Sequence, residues 1–329
     1  MRTCRNWKRG LSLALGGTMV ALVAACSPAT PETKEADSES HTVRVVTNFG
    51  TIYYGLLLGL DLLVEERPDV KIEHVQLSAG GDSLTAIAAN QADLVSVGVS
   101  PLLIAREKGV PAKFGGALVT AHVALVAKDS KFKSLADFGP DDRIATPGPF
   151  AVGSIALLGA SMGESGGWQA TQEKFRIMPH PDAVTALQQG EVQGHMATPP
   201  FLQQNLANGA HEVLGGEDLL GAPIPLGDFA FSEAFHEKNP KLYAALVAAI
   251  EAGTAMINDD PKKAAARIAT LSSVKVSEDQ VFQEITTQGI DFDTTFSGYT
   301  EVRDTMLEMG LIKKKVSLAE VSFDNVKGE

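Results

Sequence analysis

Residues 43–99 read VRVVTNFGTIYYGLLLGLDLLVEERPDVKIEHVQLSAGGDSLTAIAANQADLVSVGV. Residues 43–47 alternate and are β-branched, as a strand requires. Residues 52–66 form a strongly apolar helix, and 71–77 form a second strand. A short Ala-rich helix over 83–91 leads to a third strand over 93–99. Strands alternating with helices in this way imply parallel β-α-β units with right-handed crossovers.

The pattern continues outward from this stretch. Residues 101–108 read as a helix with Pro near its start, and 114–119 and 123–127 as strands. A second set follows, with strands over 143–146, 175–178 and 194–197 and helices over 151–162, 183–189 and 201–207. Residues 211–214 and 228–231 read as return strands. Trp168, after Gly166 and Gly167, reads as a loop anchor. From Ser232 to Leu311 the pattern is helical: Leu242, Leu246 and Ile250 recur at helical spacing, and Ser277 to Gln280 fits a capping box.

Two β-α units of similar size followed by a helical tail imply that the tail returns to the first unit. The chain would then cross between units near 120–124 and 222–228, where Gly221, Pro223, Pro225 and Gly227 punctuate the second crossing. The expected division is 42–121 with 226–329 as one lobe and 122–225 as the other. A two-strand hinge between α/β lobes suits closure around a small ligand.

The N-terminus says where this body works. Arg2, Arg5, Lys8 and Arg9 precede an uncharged, mostly apolar stretch over 10–25 that ends Val23-Ala-Ala-Cys26. That order is a secretory signal peptide over 1–25. The small residues before Cys26 resemble the bacterial lipobox, in which the cysteine is acylated and becomes the new N-terminus. Residues 26–41 (CSPATPETKEADSESH) carry no large apolar residue after Cys26 and read as a disordered tether. Anchoring of this kind holds a protein on a membrane without spanning it.

The net charge is −12; residues 1–25 hold four cations and no acid, so the mature chain stands at −16. Such a polyanion is a poor partner for phosphate backbones, which argues against nucleic acid. Both cysteines, Cys4 and Cys26, fall outside the body. The body therefore has no disulfide, thiolate metal site or cysteine nucleophile. The seven histidines lack ligand spacing and read as scattered surface or cleft residues, so no metal or cofactor is expected.

In open α/β sheets the ligand lies beyond the carboxyl ends of the strands. The candidate residues there are Asn48, Phe49, Gly50, Thr51 and Tyr53 after the first strand. Gly80, Gly81 and Ser83 follow the second, and Ser100 the third. In the second unit they are Pro147, Gly148 and Phe150, then Asp182, then Thr198 and Pro199. These loops offer Gly, Ser, Thr and Asn with almost no Lys or Arg, and several lead straight into helices whose first N–H groups are free. Of Tyr53 and Tyr54, adjacent on a helix, one is expected at the ligand and the other in the core.

Three segments carry a family likeness: Asn48-Phe-Gly50, Asp82-Ser-Leu-Thr-Ala-Ile-Ala-Ala-Asn-Gln-Ala-Asp-Leu94 and Gly98-Val-Ser-Pro-Leu-Leu-Ile-Ala-Arg-Glu-Lys-Gly109. Together with Lys133 to Phe138, Pro147 to Gly153 and Asp182 to Val192, they resemble the nitrate/taurine/alkanesulfonate-type substrate-binding proteins of ABC importers, relatives of thiamine-pyrimidine-binding proteins. The resemblance implies a type II periplasmic-binding-protein-like α/β fold, two lobes joined by a two-strand hinge, with the ligand in the interlobe cleft. It places ligand contacts at most of the loop residues named above and implies a permease and ATPase as partners. The chain departs from it at Val192-Gln-Gly194, and at Ala197-Thr-Pro-Pro200, where sulfonate binders tend to have an aromatic and acidic segment. The expected function is capture and delivery without chemistry, on the outer side of a bacterial membrane. An enzyme of the same fold related to thiamine-pyrimidine synthesis, and a sensory lipoprotein, are the alternatives.

Overall fold

The structure, a computed structural model, describes residues 41–48, 50–77, 81–271 and 276–329. The expected signal peptide, lipidated Cys26 and nearly all of the tether lie outside the described residues, as do Phe49 and Gly80.

The first sheet has the order β11-β4-β10-β3-β1-β2. Strand β1 (His41–Asn48) pairs in parallel with β2 (Val70–Leu77) on one side and β3 (Leu94–Val97) on the other. Helices α1 (Tyr54–Glu66) and α2 (Gly81–Ala88) connect them, and α3 (Val99–Glu107) follows β3. Strand β4 (Ala112–Ala121) is the last element of this sheet before the chain enters the second, where β5 (Ala124–Ala127) begins.

The second sheet has the order β7-β6-β8-β5-β9. Strands β6 (Ile144–Thr146), β7 (Phe175–Ile177) and β8 (Gly194–Ala197) are parallel, and β5 runs antiparallel to β8 and to β9 (His211–Gly215). Its helices are α4 (Val152–Ala160), α5 (Gly167–Glu173), α6 (His180–Gln189), α7 (Phe201–Ala207) and α8 (Glu217–Leu220). Trp168 lies within α5, not in a loop as expected; Gly166, at φ 85°, makes the turn that starts this helix.

The chain then returns. Strand β10 (Ile224–Ser232) inserts antiparallel between β3 and β4 of the first sheet. Helices α9 (Glu233–Lys238), α10 (Pro240–Asp259), α11 (Pro261–Ile268) and α12 (Glu278–Ile285) follow. The expected unbroken helical tail is interrupted by β11 (Ile290–Phe292), an edge strand against β4 whose Ile290 and Phe292 are buried while Asp291 is exposed. Helices α13 (Tyr299–Glu308) and α14 (Leu318–Val321) complete the chain. Both sheets are therefore mixed, not purely parallel.

Residues 54–60 of helix α1 are all buried, whereas Val64, Glu65 and Glu66 at its end are exposed. Leu56, Leu58 and Leu63 are buried, and α10 packs across it through Leu246 and Ile250. Small residues bring the two backbones together: a Cβ on Gly59 would lie 2.5 Å from Ile250 Cα, and one on Gly253 2.5 Å from Gly59 N. This contact fixes the tail on the first sheet and positions α12 at the edge of the site.

Candidate functional site

The carboxyl ends of β1 and β3 and those of β6, β7 and β8 face a cavity of about 1230 Å³. Nine of the residues expected at a ligand line it: Asn48, Gly50, Thr51, Tyr53, Pro147, Gly148, Phe150, Thr198 and Pro199. The others described do not line it. Ser83 and Ser100 are fully buried behind the wall, and Asp182 is exposed in the first turn of α6, where a carboxylate suits the helix dipole. Gly81 opens α2.

On the first-sheet side, Gly50 at φ 128° turns the chain into a 3₁₀ turn over Thr51–Tyr53, a conformation that favours glycine. Asn48 N donates to Ser96 Oγ at 2.9 Å, and Asn48 Nδ2 donates to Tyr53 Oη at 3.4 Å. Asn48 Oδ1 is buried without a partner among the described residues. Burial raises the Tyr53 phenol above its ordinary range. Tyr53 and Tyr54 are both buried and both line the cavity, against the expectation that only one would. Thr51 Oγ1 and Tyr54 Oη donate to Glu284 Oε2 at 3.0 and 2.9 Å, which places the α12 carboxylate at the cavity wall. Burial first, and then Glu284, raise Tyr54.

On the second-sheet side, Ser154 Oγ donates to Gly148 O at 2.7 Å and so pins the loop before α4. Ser100 Oγ, from α3, donates to Phe150 O at 2.9 Å. That bond links the helix after β3 to the loop after β6 and holds the Phe150 backbone while its ring lines the cavity.

Two of the seven histidines come together in the fold, His180 at the cavity and His195 fully buried behind it. His180 Nδ1 and His195 Nε2 lie 2.9 Å apart, although fifteen residues separate them in sequence. Residue spacing misled the sequence reading, because α6 and β8 are neighbours only in the fold. The hydrogen-bond directions follow from Asn205, whose Nδ2 lies 2.9 Å from Phe201 O and 2.9 Å from His195 Nδ1. An amide nitrogen only donates, so His195 Nδ1 accepts and His195 Nε2 carries the proton. That proton goes to His180 Nδ1, and His180 Nε2–H is left facing Thr198 Oγ1 at 3.3 Å and the cavity that both residues line. Burial pulls His180 down to about 4 and His195 down to about 3, with His180 adding to the second shift, so both rings are neutral at pH 7. His180 also stacks on Phe201, with ring centroids 5.2 Å apart. Nothing in the sequence pattern marked His180 as a cavity residue beyond its place after β7. Among the described residues no group of three His, Cys, Asp or Glu side chains gathers to hold a metal.

Residues 36–272 match the sequence profile of the NMT1-like family. The chain belongs to that family. A curated Escherichia coli (strain K12) relative, provisionally named as an aliphatic sulfonates-binding protein, is 30% identical over 190 residues, 56% of this chain. The match spans 58% of that relative's length, somewhat more than half. Among solved structures, the periplasmic aliphatic sulphonate binding protein of Escherichia coli superposes with a TM-score of 0.65 at 20% identity, over 88% of this chain and 94% of that one. The alkanesulfonate-binding protein of Xanthomonas axonopodis pv. citri, bound to MOPS, gives 0.67 at 19% identity, over 87% and 99%. These likenesses show the fold: two α/β lobes of the type II periplasmic-binding-protein kind.

Proposed function

We propose that this NMT1-like protein is an extracytoplasmic solute-binding lipoprotein that captures a small organic molecule by hinge closure and delivers it to the permease and ATPase of an ABC importer. The observation that carries the reading is the cavity of about 1230 Å³ between the strand ends of two sheets. The chain passes between those sheets at Ala121–Ala124 and again between Gly215 and Ile224. Two crossings let the lobes, 42–121 with 226–329 and 122–225, rotate about one axis. The names of the relatives support a binding role without turnover. Acylation of Cys26 would keep the protein beside its importer at the membrane.

Two measurements test this. Native mass spectrometry of the purified protein identifies a co-purified solute. Adding that solute back to the emptied protein should then lower the radius of gyration in small-angle scattering, and an unchanged profile at saturation refutes hinge closure. For the anchor, Cys26→Ser should move the protein from the membrane to the soluble extracytoplasmic fraction with its fold intact. A variant that still sediments with membranes refutes acylation.

A further inference from the structure

We propose that His180 and Thr198 form a specificity edge of the cavity that gives a hydrogen bond to the solute, which must present an acceptor atom there. Asn205 and His195, which do not line the cavity, are the positioning residues that set this polarity. The inference rests on the solute-binding reading above and deepens it.

The polarity starts on α7. Asn205 lies one turn after Phe201, and its Nδ2 donates to Phe201 O and to His195 Nδ1, each at 2.9 Å. Turning the amide over would set its oxygen against the Phe201 carbonyl. Asn205 Oδ1 has no partner among the described residues, so the nitrogen alone orients the amide. His195 Nδ1 can then only accept, and His195 Nε2 donates across 2.9 Å to His180 Nδ1. His180 is left with its proton on Nε2. Asn205 and His195 are fully buried, which removes bulk water as a competing partner for these links.

The polarity ends at the cavity. His180 Nε2 lies 3.3 Å from Thr198 Oγ1, and both residues line the cavity. A contact of that length leaves the His180 proton free to be shared with a solute atom. The Thr198 hydroxyl has no other partner among the described residues, so its own proton is also free to be given. Two protons therefore meet at one point of the wall. The His180 ring is held in its plane by Phe201, whose ring stacks on it with centroids 5.2 Å apart and planes 15° from parallel.

A solute N–H placed at that point would meet two donors and leave both unpaired, which a site closed off from water penalises. A carbonyl, a bare ring nitrogen or an acid oxygen pairs with them. Thr198 alone would not select, because a hydroxyl gives or takes a hydrogen bond as its neighbour requires. The fixed N–H of His180 turns it into a donor. The choice of solute atom is thus decided at Asn205, two residues behind the wall that the solute touches.

The test uses NMR of the purified full-length protein with isotope-labelled histidine, and two uncharged bicyclic probes of matched shape. Benzothiazole has a ring nitrogen that only accepts, and indole an N–H that only donates. Ile177, Met196 and Phe201, which line the same cavity, offer both probes the same apolar contacts. In the free protein, coupling through the hydrogen bond should link a protonated His195 Nε2 to a bare His180 Nδ1. A proton on His180 Nδ1 instead overturns the inference. Benzothiazole should shift the His180 Nε2 resonance saturably, with an affinity at least about fivefold above that of indole. His180→Phe keeps a ring against Phe201 and should abolish the preference. Asn205→Asp sets an acceptor against His195 Nδ1, so both ring protons should move to Nδ1 and the preference should turn toward indole. Each variant is decisive if the other fails to fold. Indole binding as tight as benzothiazole, a preference that survives His180→Phe, or ring protons that stay in place in Asn205→Asp each overturn the inference. So does a His180 resonance that neither probe moves up to its solubility, because the proton then does not face the cavity. Solute capture is judged separately, by scattering with the co-purified solute.

Discussion

Asp228→Asn should stabilise the protein increasingly as pH rises from 4. Asp228 lies on β10, opposite Val97 of β3 and Ala117 of β4, in the middle of the first sheet. It has no exposed surface, and neither carboxyl oxygen has a partner among the described residues. Burial pushes its carboxyl well above the usual carboxylate range. In the unfolded chain the same group ionises near pH 4 (about 3.9).

The sign follows from proton counting. A group whose folded pKa is raised contributes fully below its unfolded pKa, and that contribution is lost as pH rises toward the folded value. Each pH unit over which the native carboxyl keeps a proton that the unfolded chain has released costs about 1.4 kcal/mol. For as long as the native carboxyl stays protonated above pH 4, the wild type should therefore lose stability at up to that rate, and the uncharged amide should not. The amide's own unpaired N–H groups add a penalty of about 1–3 kcal/mol, but that offset does not vary with pH. The quantity to measure is thus the slope of the stability difference. Urea unfolding of both proteins at pH 4, 5 and 6 gives it, and the histidine contributions cancel because both proteins carry them. A difference that stays constant with pH, or one that moves in favour of the wild type as pH rises, refutes the reasoning, since it would mean that Asp228 is ionised and satisfied in the fold.

The buried histidines act with the opposite sign: their folded pKa values, about 4 and about 3, lie below the unfolded value near 6.5. Stability should fall as pH drops below 6.5, by about 1.4 kcal/mol per unit and per ring. An NMR titration should show two histidine rings still neutral at about pH 5.5, and seven rings titrating near 6.5 would contradict this. Gly59→Ala drives a methyl against the backbone of α10 and should cost about 1–3 kcal/mol or more in urea unfolding, whereas Gly163→Ala, with nothing within 4 Å, should leave the midpoint unmoved. Phe150→Ala should weaken binding of the co-purified solute by about fivefold with little change in the Tm of the free protein, because its carbonyl, the atom that Ser100 holds, remains. A collapse of Tm would mean that the ring is core.

Much of the fold was legible because local pattern and tertiary role coincide. The β-branched run of β1 and the apolar run of α1 mark elements that are largely buried, and β8 and α7 fall at the expected residues. The tail's return was inferred from its lack of a partner, and α10 packs on α1 accordingly. The insertion of β10 between β3 and β4 was not legible, because strand order depends on pairings across more than a hundred residues. Nor was β11, whose three residues are too few to show a period. In the site, the strand-end rule found loops but not depth: it could not tell Ser100, turned inward to Phe150 O, from Thr198, at the surface of the cavity. The His180–His195–Asn205 chain joins α6, β8 and α7, and no spacing rule relates residues on three elements.

Two polar groups beside the site lack partners, and the distinction between them can be tested. Asn48 lines the cavity, and its Nδ2 donates to Tyr53 Oη there, so a bound solute lies against this residue. Asp228 is not at the cavity surface; it bears on the site only through Tyr53, whose phenol its charge would raise further. The solute therefore cannot recover the cost of burying that carboxyl, and the two sites should separate experimentally. Asp228→Asn should change stability with pH and leave the affinity for the co-purified solute within about twofold, a few tenths of a kcal/mol. Asn48→Ala should do the reverse, weakening affinity while costing the free protein no more than its long Nδ2–Tyr53 Oη hydrogen bond. If Asp228→Asn weakens binding as much as Asn48→Ala does, the carboxyl acts on the ligand through Tyr53. The polar floor under Asn48 would then belong to the binding site, and the wall drawn at Tyr53 would be in the wrong place.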